Sequence, residues 1–208
     1  ASAPSARHSH AMVFDPIRGK VILFGGRLGS NYRNDTWEYD PATNVWKELR
    51  PASAPSARHS HAMVFDPIRG KVILFGGFTG SVRLSDTWEY DPDTNEWTNR
   101  APASAPSARD GHAMVFDPIR GKVILFGGLA QARLGDTWEY DPATNVWKEL
   151  TPASAPSGRY KHAMVYDPAK GRAILFGGST DTGHSAETWA LWTRLGLIFA
   201  TPDGQPID

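Results

Sequence analysis

One stretch, ASAPSARHSHAMVFDPIRGKVILFGG at residues 1–26, returns letter for letter at 52–77, with two changes at 103–128, and more loosely at 153–178. The Gly-Gly doublets that close each copy, Gly25/Gly26, Gly76/Gly77, Gly127/Gly128 and Gly177/Gly178, are spaced by 51, 51 and 50 residues. A period of about fifty residues marks a repeat architecture, in which each copy is one supersecondary unit that buries its apolar surface against its neighbours.

Within a copy the punctuation excludes helices. Taking 52–102, ASAPSAR is a Pro, Ala and Ser connector that cannot be a central strand. HAMVFD (61–66) is a short apolar run, and Asp66-Pro67-Ile68-Arg69-Gly70 is hairpin chemistry, Pro presetting φ and Gly free to take φ > 0. KVILFGG (71–77) is a second apolar run, and strands apolar on every residue are covered on both faces. After a loop, DTWEYD (86–91) and EWTNR (96–100) alternate aromatic with polar, as half-exposed strands do. Asp-Pro and Gly-Gly interrupt every run within about nine residues, too short for helices. The reading is an all-β chain of four-stranded antiparallel blades, with burial falling from first strand to fourth. The blades run roughly 1–51, 52–102, 103–152 and 153–200, with a tail at 201–208, in a single propeller domain over 1–208.

The order Arg, His-Ala-Met-Val, Gly-Gly, Asp-Thr-Trp-Glu-Tyr-Asp, Asn-x-Trp resembles the kelch repeat, in phase from residue 1 to about 190. That resemblance implies a β-propeller with four kelch-like blades in this chain. Some kelch-like enzymes are copper-radical oxidases whose cofactor needs a Cys joined to Tyr; this chain has no Cys, which excludes that activity. Kelch-like propellers usually close with six or seven blades, so four blades leave three outcomes: a closed four-blade ring, part of a larger ring, or chains that self-associate to close one. From residue 190 the pattern departs, with a turn expected at 194–196 and a last outer strand at 197–200. The chain opens inside a connector without Met and without a signal-peptide pattern, as a processed chain or a piece of a longer one does.

Composition limits the functions available. Lys+Arg and Asp+Glu balance at 22 each, so no general pull toward nucleic acid or an anionic membrane exists. No run of about 18 apolar residues is present to span a membrane as a helix. Absence of Cys rules out disulfides, thiolate metal sites and Cys nucleophiles. No Ser-His-Asp order, phosphate-cradling loop or paired carboxylates stand out. No cofactor is expected, and the chain reads as a non-enzyme.

The copies differ mainly between second and third strands, at RLGSNYRN (27–34), FTGSVRLS (78–85), LAQARLG (129–135) and STDTGHSA (179–186). A smaller set lies just before the first strand: His59-Ser60, Asp110-Gly111 and Tyr160-Lys161. In an up-and-down blade both segments emerge on one face, and binding residues sit on loops that a rigid scaffold presents. Arg27, Tyr32, Arg33, Phe78, Arg83, Arg133, Asp181 and His184 are therefore the candidate contact surface for a protein partner, unless the loops differ because nothing constrains them. Arg7, Arg58, Arg109 and Arg159 recur at the start of the innermost strand and could hold an anion on the axis, or bond to backbone and acidic neighbours. His10, His61, His112 and His162 follow one step on; a metal reading competes with blade packing, and no carboxylate partner accompanies them. The Trp residues at fixed places in the outer strands read as blade-packing aromatics rather than stacking platforms. Three functions stay open: a non-catalytic scaffold for protein–protein interaction, a small-molecule or sugar-binding propeller using the Arg and His sets, and a duplicated or designed scaffold without a ligand.

Overall fold

The computed structural model describes residues 3–152, 154–193 and 198–200. Among these there is no helix, and none long and apolar enough to cross a membrane. Packing divides the chain into two compact units, Ala1–Ala101 and Pro102–Asp208, each holding two four-stranded antiparallel blades.

Blade 1 is β1 (Ala11–Asp15), β2 (Lys20–Phe24), β5 (Thr36–Asp40) and β6 (Val45–Leu49), with a two-stranded ribbon, β3 (Arg27–Leu28) and β4 (Asn31–Tyr32), in its loop. Blade 2 is β7 (Ala62–Asp66), β8 (Lys71–Phe75), β9 (Thr87–Asp91) and β10 (Glu96–Asn99). In the second unit, blade 3 is β11 (Ala113–Asp117), β12 (Lys122–Leu129), β13 (Arg133–Asp141) and β14 (Val146–Leu150). Blade 4 is β15 (Ala163–Asp167), β16 (Arg172–Phe176), β19 (Thr188–Trp192) and β20 (Ile198–Ala200), with a ribbon of β17 (Ser179–Thr180) and β18 (Gly183–His184). The outer strand expected at the chain's end is thus present as β20, antiparallel to β19. The turn expected at 194–196 and the tail at 201–208 lie outside the described residues.

The local chemistry works as the residues imply. In the first hairpin Asp15 Oδ1 accepts the N–H of Ile17 and of Arg18 at 2.9 and 3.1 Å, and Gly19 takes φ +65°; the registers Ala11↔Phe24 and Asp15↔Lys20 follow. In the outer hairpin Asn44 turns at φ +56° while Tyr39 donates its hydroxyl to Asn44 Oδ1 at 2.7 Å.

The burial order differs from expectation. In blade 2 the second strand, β8, is the deepest, ahead of β7. The reason is topological: β7 is an edge of the order β10-β9-β8-β7, whereas β8 is flanked on both sides. The first strands β1 and β15 are only partly covered, so sandwiching of every first strand does not hold either.

Within each unit the two blades pack face to face. In the first, Ile22 and Phe24 from the back of blade 1 join Met63, Val72, Leu74, Tyr90 and Trp97 from the front of blade 2. Trp97 lies 5.1 Å from Phe24, ring centre to ring centre, and donates its indole N–H to Thr36 Oγ1 across the junction at 3.0 Å. In the second unit Val115, Ile124, Phe126 and Leu150 meet Ala173, Leu175 and Leu191. Trp37, Trp97 and Trp147 are buried core aromatics, and Trp88 and Trp189 pack against the clusters from partly buried positions.

Candidate interaction surface

Each site element is built around Gly-Gly. Gly25 (φ +67°) and Gly26 (φ +92°) adopt a backbone that side chains disfavour, and both are tightly enclosed. A Cβ on Gly25 would sit 2.8 Å from Arg58 O and 3.0 Å from His61 Cε1 of the next blade; one on Gly26 would sit 2.8 Å from Cβ of His10 in its own blade. The doublet is where two inner strands come close.

The recurrent Arg bolts this corner. Arg58 is fully buried and engages all five N–H donors: Ser56 O and Oγ, Gly76 O, and both oxygens of Asp86, at 2.6–3.0 Å. Arg7 repeats this with Ser5, Gly25 and Asp35, Arg109 with Ser107, Gly127 and Asp136, and Arg159 with Ser157, Gly177, Ser185 and Glu187. Against the upward push of burial, the bonds from Arg7 and Trp37 hold the Asp35 carboxyl below its usual range, and Asp136 is held down likewise by Arg109 and Trp138. Of the two readings open for Arg7, Arg58, Arg109 and Arg159, the bonds to backbone and acidic neighbours are the ones seen, each guanidinium spending its donors inside its own blade.

Two members of the His set pack on aromatic rings of the preceding blade. His61 meets Phe24 edge-on at 5.6 Å, and His162 meets Phe126 at 5.5 Å. Burial, then the nearby Arg58, pushes the His61 imidazole down to about 3; burial and Arg159 push His162 down to about 4.

On the loop side the two variable segments of each copy are zipped together. His8 and Arg27 exchange main-chain hydrogen bonds of 2.9 and 3.0 Å, as do His59 with Phe78 (3.0 and 2.9 Å), Asp110 with Leu129 (3.1 and 2.8 Å), and Tyr160 with Ser179 (3.2 and 2.9 Å). In the first unit this gathers a chain of rings. Tyr32 stacks on His59 (5.5 Å, 21° between planes), His59 meets Phe78 edge-on at 5.7 Å, and Arg83 lies over Phe78 at 5.5 Å. Gly80 accommodates the Tyr32 ring, where a Cβ would fall about 2.5 Å from Cζ. Arg27 stands opposite Tyr32 in the ribbon, while Arg33 serves through its main chain, its C=O accepting from Arg58 N–H at 3.0 Å.

In the second unit Arg133 bonds Asp181 Oδ1 at 2.7 Å and lies 5.5 Å over the Tyr160 ring, which also carries Lys161 Nζ at 5.5 Å. His184 is exposed beside a recess of about 410 Å³ lined by Tyr160, Phe176, Gly177 and Ser185. His59, Tyr160 and Lys161 lie among these side chains but are not among the eight loop candidates. Their signal was the second, smaller set of differences just before the first strand.

Four-stranded kelch-type blades with a corner Arg and a loop face of mixed aromatic and charged residues define a propeller-repeat protein. The KLHDC2/KLHL20/DRC7 Kelch-repeats domain matches residues 1–178, and the chain belongs to the kelch-repeat family. It is 31% identical over 136 residues to Mei4-dependent protein 6 of Schizosaccharomyces pombe, covering 60% of this chain and 19% of that protein. It is 31% identical to mouse Kelch-like protein 35 (55% of this chain, 18% of that one) and 30% identical to human Kelch domain-containing protein 10 (61% and 29%). The matched part is less than a third of each of these relatives. Kelch-repeat propellers generally mediate protein interactions and are generally non-catalytic scaffolds.

Proposed function

We propose that this chain is a non-catalytic kelch scaffold that binds a protein partner through the loops following each Gly-Gly, with Tyr32, Phe78 and Arg83 in one unit and Arg133 and Asp181 in the other as contact residues. The observation that carries this reading is where the near-identical copies differ. Departures from the shared sequence are densest on loop segments whose side chains meet one another, Tyr32 on His59 and Arg133 on Tyr160, with further ones in the outer hairpin of blade 2 and along blade 4. Aromatic and Arg side chains on rigid loops are the residue types that anchor protein interfaces. Arg27, Arg33 and His184 extend the same surface.

The test compares proteins retained by the immobilised chain with those retained by two variants. Arg83→Ala with Arg133→Ala should lose the retained set; Lys47→Ala with Arg50→Ala, at the outer strand of blade 1, should keep it, all three melting alike. An unchanged set on the loop variant rejects the reading.

A further inference from the structure

The junction inside each unit has a fixed signature of three main-chain hydrogen bonds. In the first unit these are Gly26 N–H to Arg58 O (2.9 Å), Arg58 N–H to Arg33 O (3.0 Å) and Ser60 N–H to Ser9 O (2.8 Å). In the second they are Gly128 N–H to Arg159 O (2.8 Å), Arg159 N–H to Leu134 O (3.0 Å) and Lys161 N–H to Gly111 O (2.7 Å). A His ring of the following blade fills the space beside the first Gly and the preceding Phe in both.

Two halves of this junction stand uncovered. On the back of blade 4, Phe176 is 55% exposed and Val165 60%, against 0% and 6% for their counterparts Phe126 and Val115 on blade 3. A Cβ on Gly177 would meet only Ser185 O at 3.5 Å, whereas its counterpart Gly127 is closed by Arg159 O at 2.6 Å and His162 Cε1 at 3.2 Å. Among the described residues, none fills the recess at Gly177 and Phe176 as His162 fills its counterpart at Gly127 and Phe126. On the front of blade 1, Met12 is 46% and Phe14 56% exposed, while Met63, the counterpart of Met12 on blade 2, is 8%. Among the described residues, the main-chain groups of Arg7, the N–H of Gly178 and the C=O of Ser185 and Lys161 make none of the bonds their counterparts make.

We propose that the occupant of the blade 4 socket is blade 1 of a second copy, joined head to tail. One chain carries both surfaces, and each is half of a pairing the fold already makes twice. The docked pair re-forms the three bonds as Gly178 N–H to Arg7 O, Arg7 N–H to Ser185 O, and Ser9 N–H to Lys161 O. His10 enters the recess beside Gly177 and Phe176, and Met12 and Phe14 cover Val165 and Phe176. Such an interface is heterologous: the assembly keeps one free front and one free back until it closes. Exposed apolar faces of this kind mark association sites.

Light scattering at rising protein concentration reads the association directly. The wild-type mass should climb from 22.8 kDa to at least twice that value. Phe14→Glu and Phe176→Glu should each stay at the single-chain mass, with circular dichroism spectra like wild type, and Val165→Glu serves as a second back-face variant. Mixing Phe14→Glu with Phe176→Glu leaves one intact front and one intact back, and should give a species of twice the chain mass and nothing larger. A wild-type chain that stays at 22.8 kDa, as it would if another protein were the occupant, overturns the proposal. So do charge variants that associate like wild type, or a mixture that stays monomeric.

Discussion

Arg58 shows how one side chain holds a repeat in shape. Its five N–H groups join the connector (Ser56) to the end of the second strand (Gly76) and the start of the third (Asp86), the last two being also tied by Gly76 N–H to Asp86 O at 3.2 Å. The carboxylate it grips also accepts the indole N–H of Trp88 at 2.7 Å, so Arg, Asp and Trp form one network. Removing the cation leaves Asp86 without its counter-charge and Gly76 O without a donor. Arg58→Ala should therefore cost about 3–5 kcal/mol, the range for breaking one side of a buried pair. Arg58→Lys should recover only part of this, because an ammonium cannot span two carboxylate oxygens and two further acceptors as a planar fork does. Urea unfolding of both variants checks the order wild type, Lys, Ala. Equal stability of the Ala variant and wild type would contradict the network.

Among the elements, the strands and turns were legible because their causes are local. Asp-Pro-Ile-Arg-Gly contains its own turn, and Val-Ile-Leu-Phe announces a strand covered on both faces. The corner was not legible, since Arg58 and Asp86 are 28 residues apart and the pairing depends on two loops closing together. Without that partner's identity, the Arg set leaves an anion site and bonds to backbone or acidic neighbours both open. Likewise, burial order follows edge position in the sheet, which no apolar run encodes. One departure has an element-scale cause that emerges only in three dimensions: Gly158 replaces the Ala found in the other connectors. The loop 129–135 is one residue shorter than its counterparts, and a Cβ at 158 would lie 2.6 Å from Arg133 O. Gly158→Ala should destabilise the second unit by about 1–3 kcal/mol, as overpacking against backbone does. Restoring the longer loop in the same chain should relieve it. Thermal melts of the single and combined variants measure this; an Ala variant as stable as wild type would show that the backbone yields without cost.

For the whole molecule the repeat makes small effects add, and the histidines are the case in point. Every copy places one imidazole beside the junction glycines, and the folded chain holds three of these, His10, His61 and His162, below their ordinary value of 6.5, chiefly through burial. The unfolded chain takes up protons near pH 6.5, while folded His61 and His162 refuse them until about 3 and about 4. Between those limits the unfolded state binds more protons, so stability falls as pH falls. Each of these two residues should lose about 2 kcal/mol on going from pH 7.5 to 5, at about 1.4 kcal/mol per pH unit below 6.5. The held-down carboxylates Asp35 and Asp136 add no loss in that window, because their contribution disappears only below the usual carboxylate value of 3.8. The urea midpoint should therefore drop steeply between pH 7 and 5, well before carboxylates titrate. His61→Gln should lower stability at neutral pH through poorer packing against Phe24 yet flatten the slope below it, so the two effects separate on one plot. A midpoint that stays level from pH 7.5 to 5 would mean that the junction imidazoles are hydrated and free to protonate, and that the inner strands are not as tightly closed as their geometry requires.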